Sequence, residues 1–140
     1  MKKLISTLAL ACCALTAQAQ TTDDAVYQAF GGTPGLTRLM DDFVNRLVID
    51  PRIGVFFKDT NRAELKEKLA SQLCVVSGGP CKYSGADMKN AHADMGIDKS
   101  NFNALVEVLQ VSMDAQGIPF RAQNQMLARL APMHRDIIEK

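Results

Sequence analysis

GGPCKYSGADMKNAHADMGI, residues 78–97, places a double glycine, a proline and a cysteine just ahead of His92, one of only two histidines in the chain. Gly78-Gly79-Pro80 stops any helix running into it, because glycine favours the left-handed turn that ends a helix and proline has no N–H to continue one. Behind the stop comes a segment of little clear periodicity, then a short helical stretch with Met88 and His92 four residues apart. Such an element reads in two ways. Either His92 is a surface or hydrogen-bonded histidine, or it faces a cavity between longer helices, where an imidazole can be the axial ligand of a haem iron.

The flanks are helical. Residues 24–30 form a brief first helix ended by Gly31-Gly32, and a second at 35–49 puts Leu36, Met40, Phe43 and Leu47 on one face before Pro51. PRIGVFFKDT, residues 51–60, is a compact corner carrying Phe56 and Phe57. Asn61 opens the next helix with Glu64 three residues later, a capping-box pattern. Its apolar stripe is Leu65, Leu69, Leu73 and Val76, with Lys68 on the border and Gln72 within it. Beyond His92, Asp98 begins a helix carrying Phe102, Leu105, Leu109 and Met113, which Gly117 ends. Pro119 starts the last helix, running through Met126, Leu130 and Ile137 in spite of Pro132. No strand pattern competes and no repeat or linker divides the chain, so residues 20–140 read as one all-α domain.

A targeting segment precedes that domain. Lys2 and Lys3 make a basic start, LISTLALACCAL is an apolar run, and AQA at 17–19 is a small-x-small cleavage site. The run is too short for a membrane span and fits an export signal over residues 1–19. A lipoprotein start at Cys12 is disfavoured by the poor Ala9-Leu10-Ala11 lead-in. Without the signal the chain carries 14 Lys and Arg against 15 Asp and Glu. A near-neutral chain without a basic block argues against nucleic acid as partner. Nothing in the mature part is apolar for long enough to span a bilayer.

Cys74 and Cys81 remain, and two cysteines in an exported chain are most simply one disulfide. In continuous helix they would lie about 10.5 Å apart, beyond the roughly 7 Å limit on Cα separation, so the bridge requires the turn at Gly78-Gly79-Pro80. Metal binding by these thiols alone lacks the further Cys or His of a zinc set.

Other candidates carry two readings each. Gln72 on an apolar face either finds a partner in a cavity or reaches water from the stripe's edge. Lys68 is most simply a solvated lysine, although its ammonium can pair with a cofactor carboxylate and its free amine can bind a metal. Phe56, Phe57 and Tyr83 suit either plain core or the wall of a flat cofactor's pocket. His134 has no matching partner and reads as structural. No hydrolase-like triad, phosphate loop or zinc motif occurs.

In order and spacing, FGG at 30–32, DDF at 41–43, DPR at 50–52, FF at 56–57, GGPCKYSG at 78–85, MKNAH at 88–92, GI at 96–97 and LAPMHRDII at 130–138 resemble a group I truncated haemoglobin. The resemblance covers about residues 25–138. It implies a two-over-two helical sandwich around haem b, with His92 as the proximal iron ligand. Phe57 then matches the corner phenylalanine on the haem face, and Tyr83 and Met88 match residues at the haem's edge and proximal side. Ile97, Phe102 and Leu105 match the helix wall beneath it. Lys68 matches a position that approaches a haem propionate and in some relatives binds the iron itself.

The departures bear on mechanism. The family commonly has a tyrosine directly after the phenylalanine matched by Phe43, and its hydroxyl holds bound oxygen; here the residue is Val44. A glutamine often found on the distal helix is matched by Leu69, and the gating position by Leu65. The distal wall therefore reads Val44, Leu65, Leu69 and Leu73, with Gln72 as the nearest polar candidate. Without a donor such a pocket holds O₂ less well, whereas NO and CO depend less on that hydrogen bond.

The resemblance implies a haem protein that reversibly binds diatomic gases (O₂, NO, CO), and with the export signal the reading is an exported, periplasmic form with a Cys74–Cys81 bridge as a structural staple. NO dioxygenation is the enzymatic alternative and requires an electron-donor protein. Val44 and the missing reductase domain count against it. A peroxidase-like activity lacks a distal His or Arg. The third reading is a cofactor-free helical binding module.

Overall fold

Seven helices account for most of the chain in the computed structural model, which describes residues 24–140. They are α1 (Ala25–Ala29), α2 (Gly32–Leu47), α3 (Arg62–Val76), α4 (Met88–His92), α5 (Lys99–Ala115), α6 (Phe120–Leu130) and α7 (His134–Ile137). Short 3₁₀ turns cover Gly54–Phe57 and Ala131–Met133. No strand occurs among the described residues. The expected export signal lies outside them.

Helix boundaries follow local chemistry. α2 starts three residues earlier than its stripe predicts, because Pro34 falls in the first turn, where a missing N–H costs nothing. Asn61 caps α3 as expected, its side chain accepting from the Ala63 and Glu64 N–H groups at 3.1 and 3.3 Å. The return half of the box is absent, since the Glu64 carboxylate turns to Lys68 instead. Asp98 and Asn101 complete a full capping box on α5. The continuous last helix expected from Pro119 to Ile137 is interrupted at Ala131–Met133. Pro132 is the cause: it removes an N–H donor, and its ring crowds the carbonyl one turn earlier.

The core is built on α2. Leu36, Leu39, Met40, Phe43, Val44 and Leu47 are all buried, and they meet Val26 and Phe30 from α1, Val108, Leu109 and Met113 from α5, and Met126 from α6. α2 packs on α3 and α5, α3 and α5 each pack on α6, and the one-turn α4 rests on α7. Burial fades along several helices in one direction. In α5, Leu109 and Met113 are buried while Phe102 and Leu105 are half-buried; in α3, Leu73 is buried while Leu65 and Leu69 are half-buried. Leu130, Met133 and Ile137 in the last segment are half-buried too. α4 itself rests on α7, and Gln72 of α3 reaches its Met88.

The turn at 78–80 lets the two cysteines meet. Gly78 adopts φ +88°, and a Cβ on Gly79 would come within 2.6–2.7 Å of the Tyr27 ring and the Cys74 Sγ, so a side chain there would displace both. The Cα atoms of Cys74 and Cys81 are 5.8 Å apart with their sulfurs at bonding distance.

Candidate functional site

α4 is five residues long, below the length at which a helix persists by itself, so its neighbours must hold it. The Asp87 carboxylate caps it, accepting from the Asn90 N–H at 2.9 Å, and these donors hold its pKa below the ordinary carboxylate value. At the other end of the turn, His92 is half-buried with Nδ1 2.7 Å from the Met88 carbonyl oxygen. A carbonyl can only accept, so Nδ1 carries the proton and donates. In the neutral imidazole the lone pair is then on Nε2, which has no hydrogen-bond partner among the described residues. A neutral imidazole with a backbone-bonded Nδ1 and a free Nε2 is in the tautomer a metal ligand needs.

Gln72 joins three elements. Its Nε2 points to the Met88 sulfur at 3.3 Å and the Met133 sulfur at 3.7 Å, linking α3 to α4 and to the α6–α7 connection. Of its two sequence readings, a partner within the structure is the one found. Lys68 is exposed and paired with Glu64 at 2.6 Å, which raises the pKa of its ammonium, with a smaller contribution from Tyr83. It is therefore a protonated lysine on the outer edge of α3. Tyr83 is half-buried and donates to the Ala86 carbonyl at 2.9 Å within its own loop, and Ser71 ties that loop to α3 through the Lys82 carbonyl at 3.1 Å.

The remaining expected residues divide between half-open and sealed positions. Leu65, Leu69, Met88, Phe57, Phe102 and Leu105 are half-buried apolar side chains. Val44 is 0 % and Leu73 5 % exposed, so in this structure both belong to the closed core. Ile97 is also buried. Phe102 meets the edge of the His134 ring, with centroids 6.3 Å apart. His134 Nδ1 itself bonds the Ala131 carbonyl at 2.9 Å, matching its structural reading. Two open surface grooves, one beside Asp41 and Asp42 and one beside Lys99 and Arg135, include neither His92 nor Leu65.

Residues that sequence reasoning passed over also shape the site. Met133 supplies one of the sulfurs facing Gln72, and Glu139 bonds the backbone just beyond His92. The first lies within LAPMHRDII at 130–138, but nothing in that stretch points to Gln72. The second lies forty-seven positions from His92 and no spacing rule connects them.

A planar apolar cofactor fits these residues. It would find half-open leucines on α3, a free imidazole nitrogen on α4 and an apolar wall on α5, while no group of three or more His, Cys, Asp or Glu suited to a bare metal ion occurs among the described residues. No helix among the described residues is long and apolar enough to cross a membrane.

Comparison with known proteins agrees. The chain is 30% identical over 113 residues to a group 1 truncated hemoglobin, GlbN, of Mycolicibacterium paratuberculosis, covering 81% of this chain and 83% of that protein. The truncated hemoglobin of Tetrahymena pyriformis, solved in an Fe(III) form, superposes with a TM-score of 0.79 at 24% identity over 82% of this chain and 98% of that one. The 2/2 hemoglobin of Synechococcus sp., solved with covalently attached haem, gives 0.76 at 19% identity over the same shares. At those identities the two structures establish the fold alone, the two-over-two arrangement expected from the sequence. A profile of the bacterial-like globin family matches residues 25–139, and with it the chain belongs to that family as a haem-binding truncated haemoglobin of group 1.

Proposed function

We propose that this globin binds diatomic gases at haem b whose iron is held by His92 Nε2, in a pocket poor in hydrogen-bond donors. The observation that carries the reading is the 2.7 Å bond from His92 Nδ1 to the Met88 carbonyl, which fixes the tautomer with its lone pair outward. Haem, when bound, would be held by His92 and would supply an iron able to bind a gas on the side facing α3. Leu65 and Leu69 offer that side only methyl groups, and Val44 replaces the family's hydroxyl donor with a hydrocarbon.

The two polar side chains able to compensate are engaged elsewhere. Gln72 gives its amide to the sulfurs of Met88 and Met133, and Lys68 is held as an ammonium by Glu64. These contacts favour fast loss of O₂ with little penalty for NO or CO, so reversible binding is better supported than NO dioxygenation, which depends on a persistent oxygenated state.

Export to the periplasm completes the reading. The basic start, apolar run and AQA site support it, as does the Cys74–Cys81 pair at bonding distance, since such pairs persist in oxidising compartments.

Stopped-flow oxygen dissociation tests the pocket. Leu65→Gln places an amide donor on the half-open face, and one added hydrogen bond of about 1.4 kcal/mol slows oxygen loss about tenfold, leaving CO nearly unchanged. A wild type that holds O₂ tightly, with oxygen loss accelerated by Gln72→Leu, would overturn the donor-poor description.

A further inference from the structure

The segment following His92 is shaped in an unusual way. Asp94, a non-glycine residue, adopts φ +61°, and Gly96 adopts φ +65°, so two of three successive backbone units stand in the left-handed region. Alternation of this kind turns neighbouring N–H groups toward one point and forms a small anion-binding concavity. Here the chain fills it with its own carboxylate. Glu139 Oε1 accepts from the Asp94 N–H at 2.7 Å and Oε2 from the Gly96 N–H at 2.5 Å. The Glu139 N–H in turn donates to the Ile97 carbonyl at 2.9 Å. Three bonds thus join the C-terminal segment to residues two, four and five positions beyond the histidine. The side chain of Lys140 lies beside Gly96, and its charge also acts on Asp98, the α5 cap.

The other restraints on that side of His92 are a longer bond from the Met95 N–H to the His92 carbonyl, at 3.4 Å, and the packing of α4 on α7. α4 has one turn, none of its residues is fully buried, and Ala93 leaves the helix at ψ 138°. Asp87 fixes only the entry to α4. We propose that Glu139 is a positioning residue for His92: its carboxylate clamps the Asp94–Gly96 backbone and so sets the angle at which the imidazole meets the iron. The inference rests on His92 being the iron ligand. A bidentate carboxylate suits the role because each oxygen satisfies one N–H, and charge-assisted bonds of this kind are shorter and stronger than neutral ones.

The test compares wild type, Glu139→Gln, Glu139→Ala and Arg129→Ala. Arg129→Ala is the control, since it removes a different C-terminal bond, Arg129 Nη1 to the Val76 carbonyl at 2.9 Å, away from His92. Two readouts are needed: the iron–histidine stretching band of the ferrous protein by resonance Raman, and amide hydrogen exchange of the haem-free protein. Glu139→Ala is expected to shift or broaden the band and to speed haem loss about tenfold, as removal of an outer-shell partner does. It also speeds exchange at Asp94 and Gly96 at least about tenfold. Glu139→Gln keeps one acceptor oxygen and falls between, and it carries the test if the alanine variant does not fold. Arg129→Ala leaves all three at wild-type values.

Faster amide exchange with an unchanged band and unchanged haem loss would overturn the positioning role while leaving His92 as ligand. Equal effects from Arg129→Ala would overturn it as well. A wild type with haem bound but no iron–histidine band would instead overturn the assignment of His92, and the proposal with it.

Discussion

α2 and α3 are of nearly equal length, sixteen and fifteen residues, and both carry a stripe of large apolar side chains, yet the protein treats them differently. Seven residues of α2 are buried, against two of α3, Leu73 and Cys74. Leucines of equal hydrophobicity are sealed on one helix and left half-open on the other. A half-open leucine stripe forgoes part of the roughly 1.5–3 kcal/mol that full burial of each side chain contributes. In the proposed reading the difference separates two jobs: α2 is covered by protein, whereas the first half of α3 would be covered by the haem.

The sharpest way to break this distinction is at the ligand's anchor. His92→Ala should weaken haem retention by more than the roughly 100-fold that loss of an outer-shell partner can cost, measured by transfer of haem to an acceptor protein. Haem-free stability should barely change, because His92 is only half-buried. Retention at the wild-type level would place the ligand elsewhere.

A matched pair of truncations compares the stripes directly. Leu39→Ala on α2 removes a fully buried side chain and should lower haem-free stability by about 2–5 kcal/mol in urea unfolding. Leu69→Ala on α3 should cost about 1 kcal/mol or less in the same assay. Its larger effect should be on haem retention. Equal costs in the haem-free protein would erase the difference between the helices.

Next in size is the effect of the Cys74–Cys81 pair at the end of α3, whose sulfurs lie at bonding distance. Cys74→Ser with Cys81→Ser opens a short loop and should remove about 2.5 kcal/mol by the chain-entropy estimate, read as a fall in urea midpoint that reductant reproduces in wild type. Insensitivity of the wild type to reductant would show that the thiols are not joined in solution.

The smallest expected effect is electrostatic. Asp87 and Asp98 have pKa values below the ordinary carboxylate value: the Asn90 N–H bonds Asp87, and the Ser100 hydroxyl with the Asn101 N–H bonds Asp98. A depressed folded pKa means the unfolded chain binds protons first, so these caps stabilise above the ordinary carboxylate pKa and lose that contribution as pH falls through the lower folded value. The urea midpoint of the haem-free protein should therefore hold from neutral pH to about pH 5 and decline below about pH 4. Asp98→Asn retains a capping oxygen without the charge and should flatten part of that decline.

Much of this was legible in the residues, and the illegible parts have physical reasons. Helix starts at Asn61 and Asp98, the stop at Gly78-Gly79 and the stripe of α2 depend on neighbours within a few positions, so local spacing reveals them. Periodicity also locates Leu65 and Leu69, but it cannot tell a stripe covered by protein from one left half-open. Pro132 was visible and its effect underestimated, because a favourable apolar spacing on either side suggested one continuous helix. The partners of Gln72 and the Glu139 clamp join residues distant in sequence through contacts that no pattern encodes.

The most direct measurement is a titration of haem into the haem-free protein, followed by the Soret band and by thermal unfolding, for wild type and His92→Ala. Wild type is expected to take up haem one-to-one and to unfold at a temperature that rises with haem concentration, because a ligand that binds only the folded state must stabilise it. Both responses should largely disappear in the variant. No Soret band in wild type, with stability indifferent to haem, would contradict the account and leave a cofactor-free helical module.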